Sequence, residues 1–419
     1  MVQQSMSGDM TTADGTPLKV SLRRSLRRQQ WMSFLLVAPL LLFILVTFII
    51  PVFNMTLSGV ENPQVHNIMP RTTAALKSWN GEGLPDESSY AALVADLTEG
   101  RKSKQIGKVA TRLNYERSGM RRVVTGSARK ASKLKTAPYK EAMIKINKAW
   151  GEQRTWALIK RESSPYTASY LLASIDHQYN DQGEIVSKPE EKVIYVPLLK
   201  RTLWMSFSIT VLCIVLAYPI AYLLATLPLR TSNLLMILVL LPFWTSLLVR
   251  TTTWIAILQS QGVLNDLLVW MNIIDEAGRL QMIFNRTGAI IAMTHILLPF
   301  MILPLYSVMK TIPPTYMRAA RSLGANPLVA YVRVYIPQTV NGIGAGSLLV
   351  FILSIGYYIT PALVGGQSGQ LISNMIAYHM QKSLNWGLAG ALGALLLIIV
   401  LVLYAFYDKL IGIDKIKMG

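Results

Sequence analysis

Long runs of residues without a single charged side chain constrain this chain more than any other feature. The longest covers residues 334–381, which is 48 positions. A helix needs about 20 largely apolar residues to cross the hydrocarbon core of a bilayer, so this run is too long for one span. Pro361 and the pair Gly365 and Gly366 break it, which leaves a helix near residues 339–360 and a polar return. The charge-free runs together predict six transmembrane helices, at residues 31–53, 202–229, 231–249, 287–309, 339–360 and 383–407.

Charged residues are distributed unevenly along the chain. They make up 15% of the whole, against about 25% in soluble domains. Residues 54–197 carry 37 charges in 144 positions, whereas residues 198–419 carry only 19 in 222. This distribution predicts an all-α membrane protein with a soluble region inserted after its first helix. The predicted segments are a basic tail at 1–30, a helix at 31–53, an inserted cap at 54–197, a core with helices 2–6 at 198–408 and a second tail at 409–419.

Lysine and arginine near the ends of the spans predict the orientation, because cytoplasmic loops carry an excess of them. Four arginines precede the first apolar run, and residues 310–333 and 409–417 are also basic. Both termini are therefore expected in the cytoplasm, and the cap on the opposite side. The first run has 21 residues without a charge, which is longer than the apolar region of a signal peptide, and no small-residue cleavage site follows it. A retained helix is therefore expected.

The cap contains a strongly basic block, residues 101–148, with 15 lysines and arginines against two acidic residues. The spacing of apolar residues at 90–98 and at 143–159 predicts helices and thus a mostly helical extracytoplasmic insertion. Three interpretations of the basic block stay open. It could dock an acidic partner surface or anionic lipid headgroups, it could be a solvated face, or it could bind nucleic acid. The predicted orientation disfavours a nucleic-acid partner.

The segment between the fourth and fifth predicted spans has the pattern of a short helix, a stop, a turn and a second amphipathic stretch. Residues 316–327 read Tyr-Met-Arg-Ala-Ala-Arg-Ser-Leu-Gly-Ala-Asn-Pro. The small Ala319 and Ala320 would let a partner approach closely, Gly324 suits a left-handed helix end, and Pro327 cannot continue a helix. A short helix across the membrane face suits a groove on a soluble partner, although a plain connector has the same pattern.

This segment resembles the EAA loop of bacterial ABC-importer permeases, which reads Glu-Ala-Ala, three residues, Gly, nine residues and Ile-x-Leu-Pro. Four residues match in type and spacing, namely Ala319, Ala320, Gly324 and Pro337. Arg318 stands where the Glu is expected, so an ion pair made by that Glu does not carry over. The resemblance implies a type I ABC importer permease fold, in which residues 310–337 couple the membrane helices to an ATPase.

The resemblance also implies the partners and the location. They are two ABC ATPase subunits, which would hold ATP and Mg²⁺, a second permease subunit in a heterodimer, a periplasmic substrate-binding protein and the lipid bilayer. The chain would be a multi-pass protein of the bacterial inner membrane without enzymatic activity, and no cofactor is expected in it. No metal site is expected either, because the single cysteine, Cys213, and four histidines lack metal-ligand spacing.

Further motifs resemble the spermidine/putrescine branch of these permeases, over residues 198–408. They are Leu-Pro-Phe-Trp-Thr-Ser at 241–246, Gly-Val-Leu-Asn at 262–265 and Ile-Leu-Leu-Pro-Phe-Met-Ile-Leu-Pro-Leu-Tyr at 296–306. This likeness implies a small cationic organic solute as substrate, such as putrescine or spermidine. The cap is not part of the recognisable family core.

Aromatic and polar residues at helix ends are candidates for the substrate path, because aromatic rings can hold ammonium groups. The candidates are Trp244, Arg250, Trp254, Asp266, Tyr306, Tyr357 and Tyr358. The aromatic residues could equally form an interfacial belt, and Arg250 could anchor a helix end at the headgroups. Gly342 and Gly346 predict close packing of the fifth helix against a neighbour.

Other functions stay open beside the polyamine importer. The same architecture could import an opine-like or amino-acid-derived solute, and the positive cap disfavours a polycation near it. An ATPase-independent carrier or channel is a further alternative, although such carriers usually place ionisable residues in their spans and only His295 and His379 lie in the charge-free runs. The last alternative is a membrane-anchored binding or scaffold protein whose functional part is the cap.

Overall fold

A computed structural model describes residues 18–134 and 136–411 of the chain. The predicted tails lie partly outside the described residues, at 1–17 and 412–419, as does Lys135 of the basic block. The chain divides into two compact units, Met1–Leu57 and Ser58–Gly419.

The described part of the first unit, from Leu18, is one long helix. Helix α1 (Leu18–Ile44) continues through a π-helical turn (Leu45–Ile49) into α2 (Ile50–Ser58). The segment Ser25–Ser58 has the length and apolar character of a membrane span, which confirms the first predicted helix. The helix starts before the predicted position, so part of the expected tail is already helical. The π turn directly precedes Pro51, whose missing N–H interrupts the ordinary helical ladder.

The second unit starts with the cap, which consists mainly of short helices. In chain order they are α3 (Pro63–Ile68), α4 (Pro70–Lys77), α5 (Glu87–Lys102), α6 (Ile106–Glu116), α7 (Met120–Ala131), α8 (Tyr139–Ile146), α9 (Gln153–Glu162) and α10 (Ser169–Ser174). Turns of 3-10 helix lie at Lys148–Gly151 and Glu190–Lys192. An antiparallel hairpin of β1 (His177–Tyr179) and β2 (Ile185–Ser187) pairs His177 with Ser187.

The mostly helical insertion is confirmed, and the stretch of helical spacing at residues 143–159 is divided among α8, a 3-10 turn and α9. The chain leaves α8 at Asn147, which is extended and accepts a hydrogen bond from the Ala149 N–H at 3.0 Å. Such side-chain capping competes with helix continuation. The turn that results brings the buried rings of Trp150 and Trp156 to a 5.8 Å centroid distance. The Tyr90 hydroxyl donates to the Trp150 carbonyl at 2.6 Å, so this aromatic group forms the centre of the cap.

The remaining helices form the membrane core. They are α11 (Tyr195–Thr226), α12 (Leu229–Trp244), α13 (Leu247–Leu258), α14 (Val263–Trp270), α15 (Arg286–Thr311), α16 (Pro314–Ser322), α17 (Pro327–Ala330), α18 (Ile336–Gly356), α19 (Ile359–Val364), α20 (Ile372–Gln381) and α21 (Trp386–Ile411). A 3-10 turn lies at Glu276–Gly278 and a π turn at Tyr331–Tyr335. Four of these segments are long and apolar enough to cross a membrane, namely Tyr195–Thr226, Arg286–Thr311, Pro327–Gly356 and Trp386–Lys409.

The predicted span at residues 231–249 is wrong as a straight helix. The chain bends by 98° between Leu229–Trp244 and Leu247–Trp270, so a sixth span exists only if this bent pair counts as one. Thr245 and Ser246 are extended at the bend, and the Ser246 hydroxyl accepts a hydrogen bond from the Val249 N–H at 3.2 Å. Serine in this capping position starts a new helix, α13, instead of prolonging α12.

Helices α11, α15 and α18 pack together at the centre of the core. Gly342 and Gly346 of α18 face α15 so closely that a Cβ on Gly346 would lie 2.6 Å from the Met301 sulfur, and one on Gly342 3.1 Å from Val308 Cβ. The predicted close packing of the two glycines is therefore confirmed. Small residues allow backbones in a membrane to approach to this distance.

Asp176 and Tyr170 both join the cap to the core. The buried Asp176 carboxylate accepts hydrogen bonds from the N–H groups of Ile194, Tyr195 and Val196 at 3.0, 3.1 and 2.7 Å, and so caps the start of α11. A carboxylate is favoured there by the free N–H groups and by the helix dipole. Tyr170 of α10 packs against Gly387, where a Cβ would lie 2.4 Å from the ring.

Candidate functional site

Helix α16 is a short amphipathic helix that buries none of its residues. Pro313 is extended before it, and Pro314 occupies its first turn, where a proline loses no helical hydrogen bond. Arg318 and Ala319 are exposed, and Ala320 is half-buried. In the part of the chain that the structure describes, Arg318 makes no ion pair.

Gly324 ends α16 in a Schellman motif. Its φ of +90° lies in the left-handed region, its N–H donates to the Arg321 carbonyl at 3.0 Å, and the Ala325 N–H donates to the Ala320 carbonyl at 3.1 Å. These two bonds satisfy carbonyls that a helix end leaves free. A Cβ on Gly324 would meet nothing within 4 Å, so the helix end projects into open space. Glycine is needed here for its backbone conformation and not for packing.

The chain then enters the next span without a break. Asn326 caps α17 by accepting a hydrogen bond from the Val329 N–H at 2.8 Å, and α17 passes through the π turn Tyr331–Tyr335 into α18. Pro337 is exposed and lies in the first turn of α18. The fifth span therefore begins before the predicted residue 339, because the π turn lets the helix continue past a residue that lacks an N–H.

Three tyrosines join this segment to the membrane core. Tyr222, near the end of α11, meets Tyr331 and Tyr335 edge to face, with centroid distances of 5.3 and 5.4 Å. Tyr331 and Tyr335 are stacked at 5.4 Å. Edge-to-face aromatic pairs are directional contacts, so a displacement of the turn at Tyr331 acts directly on α11.

A cavity of about 1000 Å³ lies between α16 and the ends of the spans. Met317 and Arg318 line it from α16, and Tyr222 and Met309 line it from the core. Lys310 crosses its rim and donates to the Ala225 carbonyl at 3.3 Å. The helix is thus anchored at its base and free along its outer face, which leaves that face available to a partner.

Among the predicted path residues, Arg250 hydrogen-bonds to the backbone at the break between α12 and α13. Its guanidinium donates to the carbonyl of Pro242 and to that of Thr245, the latter at 3.1 Å. A broken helix leaves carbonyls without partners, and in a membrane each must be satisfied inside the protein. In the structure this side chain binds the backbone of the bend, and its role as a headgroup anchor stays a prediction. Its guanidinium is occupied by hydrogen bonds to backbone carbonyls of the bend.

Trp254 lies four residues further along α13 and points at α15. Its indole N–H donates to His295 Nδ1 at 3.2 Å, with the rings edge to face at 5.2 Å. The sequence indicated His295 only as a rare ionisable residue in an apolar run and did not pair it with Trp254. Arg250 and Trp254 therefore stand on one helix face, one turn apart.

Tyr357 and Tyr358 follow α18 in the same region. Their carbonyls accept hydrogen bonds from the side chains of Ser373 and Asn374 at 2.7 and 2.8 Å. The Thr251 and Thr360 hydroxyls lie 3.3 Å apart and connect α13 to α19. Four predicted path residues thus gather around α13, and they are Arg250, Trp254, Tyr357 and Tyr358.

The other three predicted path residues do not join this group. Asp266 lies on α14, where Arg279 donates to its carboxylate at 2.7 Å and also to that of Glu276 at 2.8 Å. Tyr306 is half-buried near the opposite end of α15, beside the packed core. Trp244 ends α12 with 83% of its side chain exposed, and in this chain it faces away from the cluster.

Residues 202–412 match the family described as "Binding-protein-dependent transport system inner membrane component". The spermidine/putrescine transport system permease protein PotB of Escherichia coli (strain K12) is 36% identical over 214 residues, which cover 51% of this chain and 77% of that protein. The inner membrane ABC transporter permease protein YdcU of the same strain is 30% identical over 230 residues, 52% of this chain and 73% of that one.

A chain of the solved structure of a bacterial alginate ABC transporter, in complex with an alginate pentasaccharide-bound periplasmic protein, is 19% identical with a TM-score of 0.45. The match covers 54% of this chain and 80% of that one. The family match begins at residue 202, within α11, so it does not extend to the cap or to the first helix. The chain belongs to the family of inner membrane components of binding-protein-dependent transport systems, and it is a multi-pass permease with the type I ABC importer fold.

Proposed function

We propose that the chain is the permease subunit of an ATP-driven importer and that α16 is its coupling helix. The exposed, unpaired outer face of α16, closed by the Schellman motif at Gly324, is the observation that carries this proposal. An exposed amphipathic helix suits a groove on a soluble protein. Two ABC ATPases would bind there, a second permease would complete the path as a heterodimer, and a periplasmic binding protein would deliver the solute on the side of the cap. Both termini would lie in the cytoplasm.

The proposed coupling works as a rigid-body movement. Closure of the ATPases on ATP and Mg²⁺, which they hold themselves, would displace α16 and the adjoining turn Tyr331–Tyr335. The contacts of Tyr331 and Tyr335 with Tyr222 would pass the displacement to α11. The spans would then change between inward-open and outward-open arrangements, because packed helices move as bodies and do not deform continuously.

The proposed solute is a small polyamine, as in the names of the PotB relatives. The aromatic rings of Trp254, Tyr357 and Tyr358 near α13 can hold an ammonium group at ~0.5–2 kcal/mol each. Asp266 is already paired with Arg279. Carboxylates for a second ammonium group would therefore come from the other permease subunit or from the binding protein.

A second candidate is an amino-acid-derived solute that carries a carboxylate. The observation that favours it is the surplus of positive charge in the cap. A positive field attracts an anionic group and repels a polycation. The two candidates differ in the charge that the binding protein must recognise, so calorimetry of the cognate binding protein decides between them. Binding of putrescine or spermidine supports the first, and binding only of an amino-acid-derived solute supports the second.

The coupling role is tested by Gly324→Asp in the reconstituted transporter. A side chain and a negative charge at the tip of α16 would stand where the ATPase groove must close, so transport-linked ATP hydrolysis should be lost while the protein still accumulates. Gly183→Asp is the matched control, because Gly183 also has a left-handed φ, +85°, and also has nothing within 4 Å of its Cβ position. Full activity of Gly324→Asp, or equal losses in both variants, would contradict the coupling role.

A further inference from the structure

A second cavity, of about 690 Å³, lies where the cap meets the start of the last span. Lys104, Lys108 and Arg121 line it from the cap, and Leu384 and Trp386 line it from the core. The Tyr115 hydroxyl donates to the Ser383 carbonyl at 3.3 Å and closes one side. The cavity is separate from α16 and from the cluster around α13.

The positive charge of this cavity is not compensated within the described residues. The ion pairs in that part of the chain do not include Lys104, Lys108 or Arg121, and all three side chains are exposed. The floor adds no net charge, because the buried Arg112 and its neighbour Arg161 are both paired with Glu116 and Glu162. The cavity therefore presents three cations to whatever enters it.

The three cations lie near the N-terminal ends of helices, which do not stabilise positive charge. Lys104 and Lys108 flank the first turn of α6, and Arg121 lies in the first turn of α7. Neither first turn contains an acidic residue, and Gln105 provides no side-chain cap to α6. The N-terminal end of a helix carries partial positive charge, so it favours anions and disfavours cations. An anion in the cavity would be attracted both by the side chains and by the helix end.

The position of the cavity at the membrane edge indicates the kind of anion. Trp386 is the first residue of α21, which is apolar enough to span a membrane, and tryptophan is enriched at the level of lipid headgroups. Trp386 and Leu384 are 51% and 62% exposed. An apolar rim of this kind suits a ligand whose charged group enters the cavity while its apolar part remains in the bilayer.

We propose that this cavity binds the phosphate-bearing headgroup of an anionic phospholipid at the membrane face next to the cap. Phosphate oxygens accept hydrogen bonds from Lys104, Lys108 and Arg121, and the acyl chains lie against Leu384 and Trp386. The basic block thus fastens the cap to the bilayer surface. This role is independent of the transported solute and of the ATPase contact.

The test uses the full chain, purified in detergent, with phosphatidylglycerol as probe and phosphatidylcholine as the zwitterionic comparison, and native mass spectrometry counts the bound lipid. In the variant Lys104→Gln/Lys108→Gln/Arg121→Gln we expect the affinity for phosphatidylglycerol to fall by about tenfold or more, since each cation near an anionic surface contributes roughly fivefold. The control Arg122→Gln/Lys130→Gln/Lys133→Gln removes three exposed charges of the same block outside the cavity and should stay within about twofold of the unmodified chain.

A second measurement locates the lipid. Phosphatidylglycerol with brominated acyl chains should quench a tryptophan signal that disappears in Trp386→Phe and is weakened in the cavity variant. Hydrogen exchange of α6 must be unchanged in both triple variants, which shows that the cap remains folded.

Several results would overturn the proposal. Equal losses in the two triple variants would mean a general charge effect, and equal binding of phosphatidylcholine would remove the role of the anion. Displacement of the lipid by millimolar inorganic phosphate would make free phosphate the ligand. If the cavity variant keeps its lipid and instead loses binding of the cognate periplasmic protein, the block is a protein-docking surface.

Discussion

Replacing Arg112 by methionine tests the ion network that holds the cap together. The Arg112 side chain is 1% exposed and Glu162 is fully buried, and their charged groups are 2.6 Å apart. Arg112 also donates to Asn62 at 2.8 Å and lies 4.5 Å above the ring of Tyr170. Methionine keeps most of the volume of arginine but removes the charge and every hydrogen bond. Glu162 then remains buried with only Asn62 and the more exposed Arg161 as partners.

The expected cost follows from the charge that is left behind. Removing one partner of a buried ion pair costs about 3–5 kcal/mol, whereas replacing both partners by apolar groups of similar size is often neutral. Arg112→Met/Glu162→Leu should therefore restore most of the stability that Arg112→Met loses. Arg154→Met is a matched control, because Arg154 is paired with Glu152 at the surface and exposed pairs contribute little.

The loss should also depend on pH. Burial raises the pKa of the Glu162 carboxyl, and Arg112 opposes that rise, so Arg112→Met moves the folded-state pKa further above the unfolded value. A carboxyl with a raised folded-state pKa stabilises the fold below its unfolded pKa, and this contribution is lost as the pH rises through the folded-state pKa. The defect of Arg112→Met should therefore be larger at pH 8 than at pH 5, and the double variant should lack this dependence.

Hydrogen exchange of the full chain in nanodiscs measures these differences, read on the amides of α6 and α9. A loss of 3–5 kcal/mol corresponds to exchange that is faster by about two to nearly four powers of ten. Arg154→Met should remain within about fivefold of the unmodified chain. Exchange of Arg112→Met that is within fivefold at pH 8, or a double variant that is no better than the single one, would refute the reasoning about the uncompensated carboxylate.

Three further predictions concern the membrane core. Arg250→Gln should loosen the bend between α12 and α13, because a hydrogen bond from a charged group contributes about 1.5–3 kcal/mol. The melting temperature in detergent should therefore fall. An unchanged melting temperature would contradict the role of Arg250 at the bend. Gly346→Leu should clash with Met301 and cost about 1–3 kcal/mol, whereas Gly356→Leu, with nothing within 4 Å, should melt like the unmodified chain. Gly387→Leu should displace Tyr170 and speed hydrogen exchange of α10, while Gly393→Leu on the same helix, also in open space, should not.

The sequence predicted the features that depend on local requirements. A membrane span must be long and apolar by itself, and for this reason the charge-free runs located five of the spans, although the observed fifth span starts at Pro327 and not at residue 339. The helix end at Gly324 could also be predicted from the sequence, because the left-handed end of a helix favours glycine wherever it occurs. The close approach of Gly346 to Met301 was visible in the spacing of two glycines.

The features that the sequence did not predict depend on distant partners. The bend after Trp244 lies in an apolar run that composition cannot distinguish from a straight span, and it is held by Arg250, eight positions from Pro242. Arg112 and Glu162 are 50 positions apart, so the basic block looked more uniform in the sequence than it is. Arg112 is internal structure, whereas most of the other described basic residues of the block, Lys104 and Lys108 among them, are exposed.

Helix α11 joins the turn Tyr331–Tyr335, next to α16, to the cap. Helix α11 has 32 residues, which is about 48 Å at 1.5 Å per residue. Asp176 of the cap binds the N–H groups at its first turn, and Tyr222 near its other end contacts the turn next to α16. Because a packed helix moves as a body, a displacement received at Tyr222 also moves the end that carries the cap. The contacts of α11 therefore join the cap to the segment next to α16, although the sequence of the cap lies outside the region that the family shares.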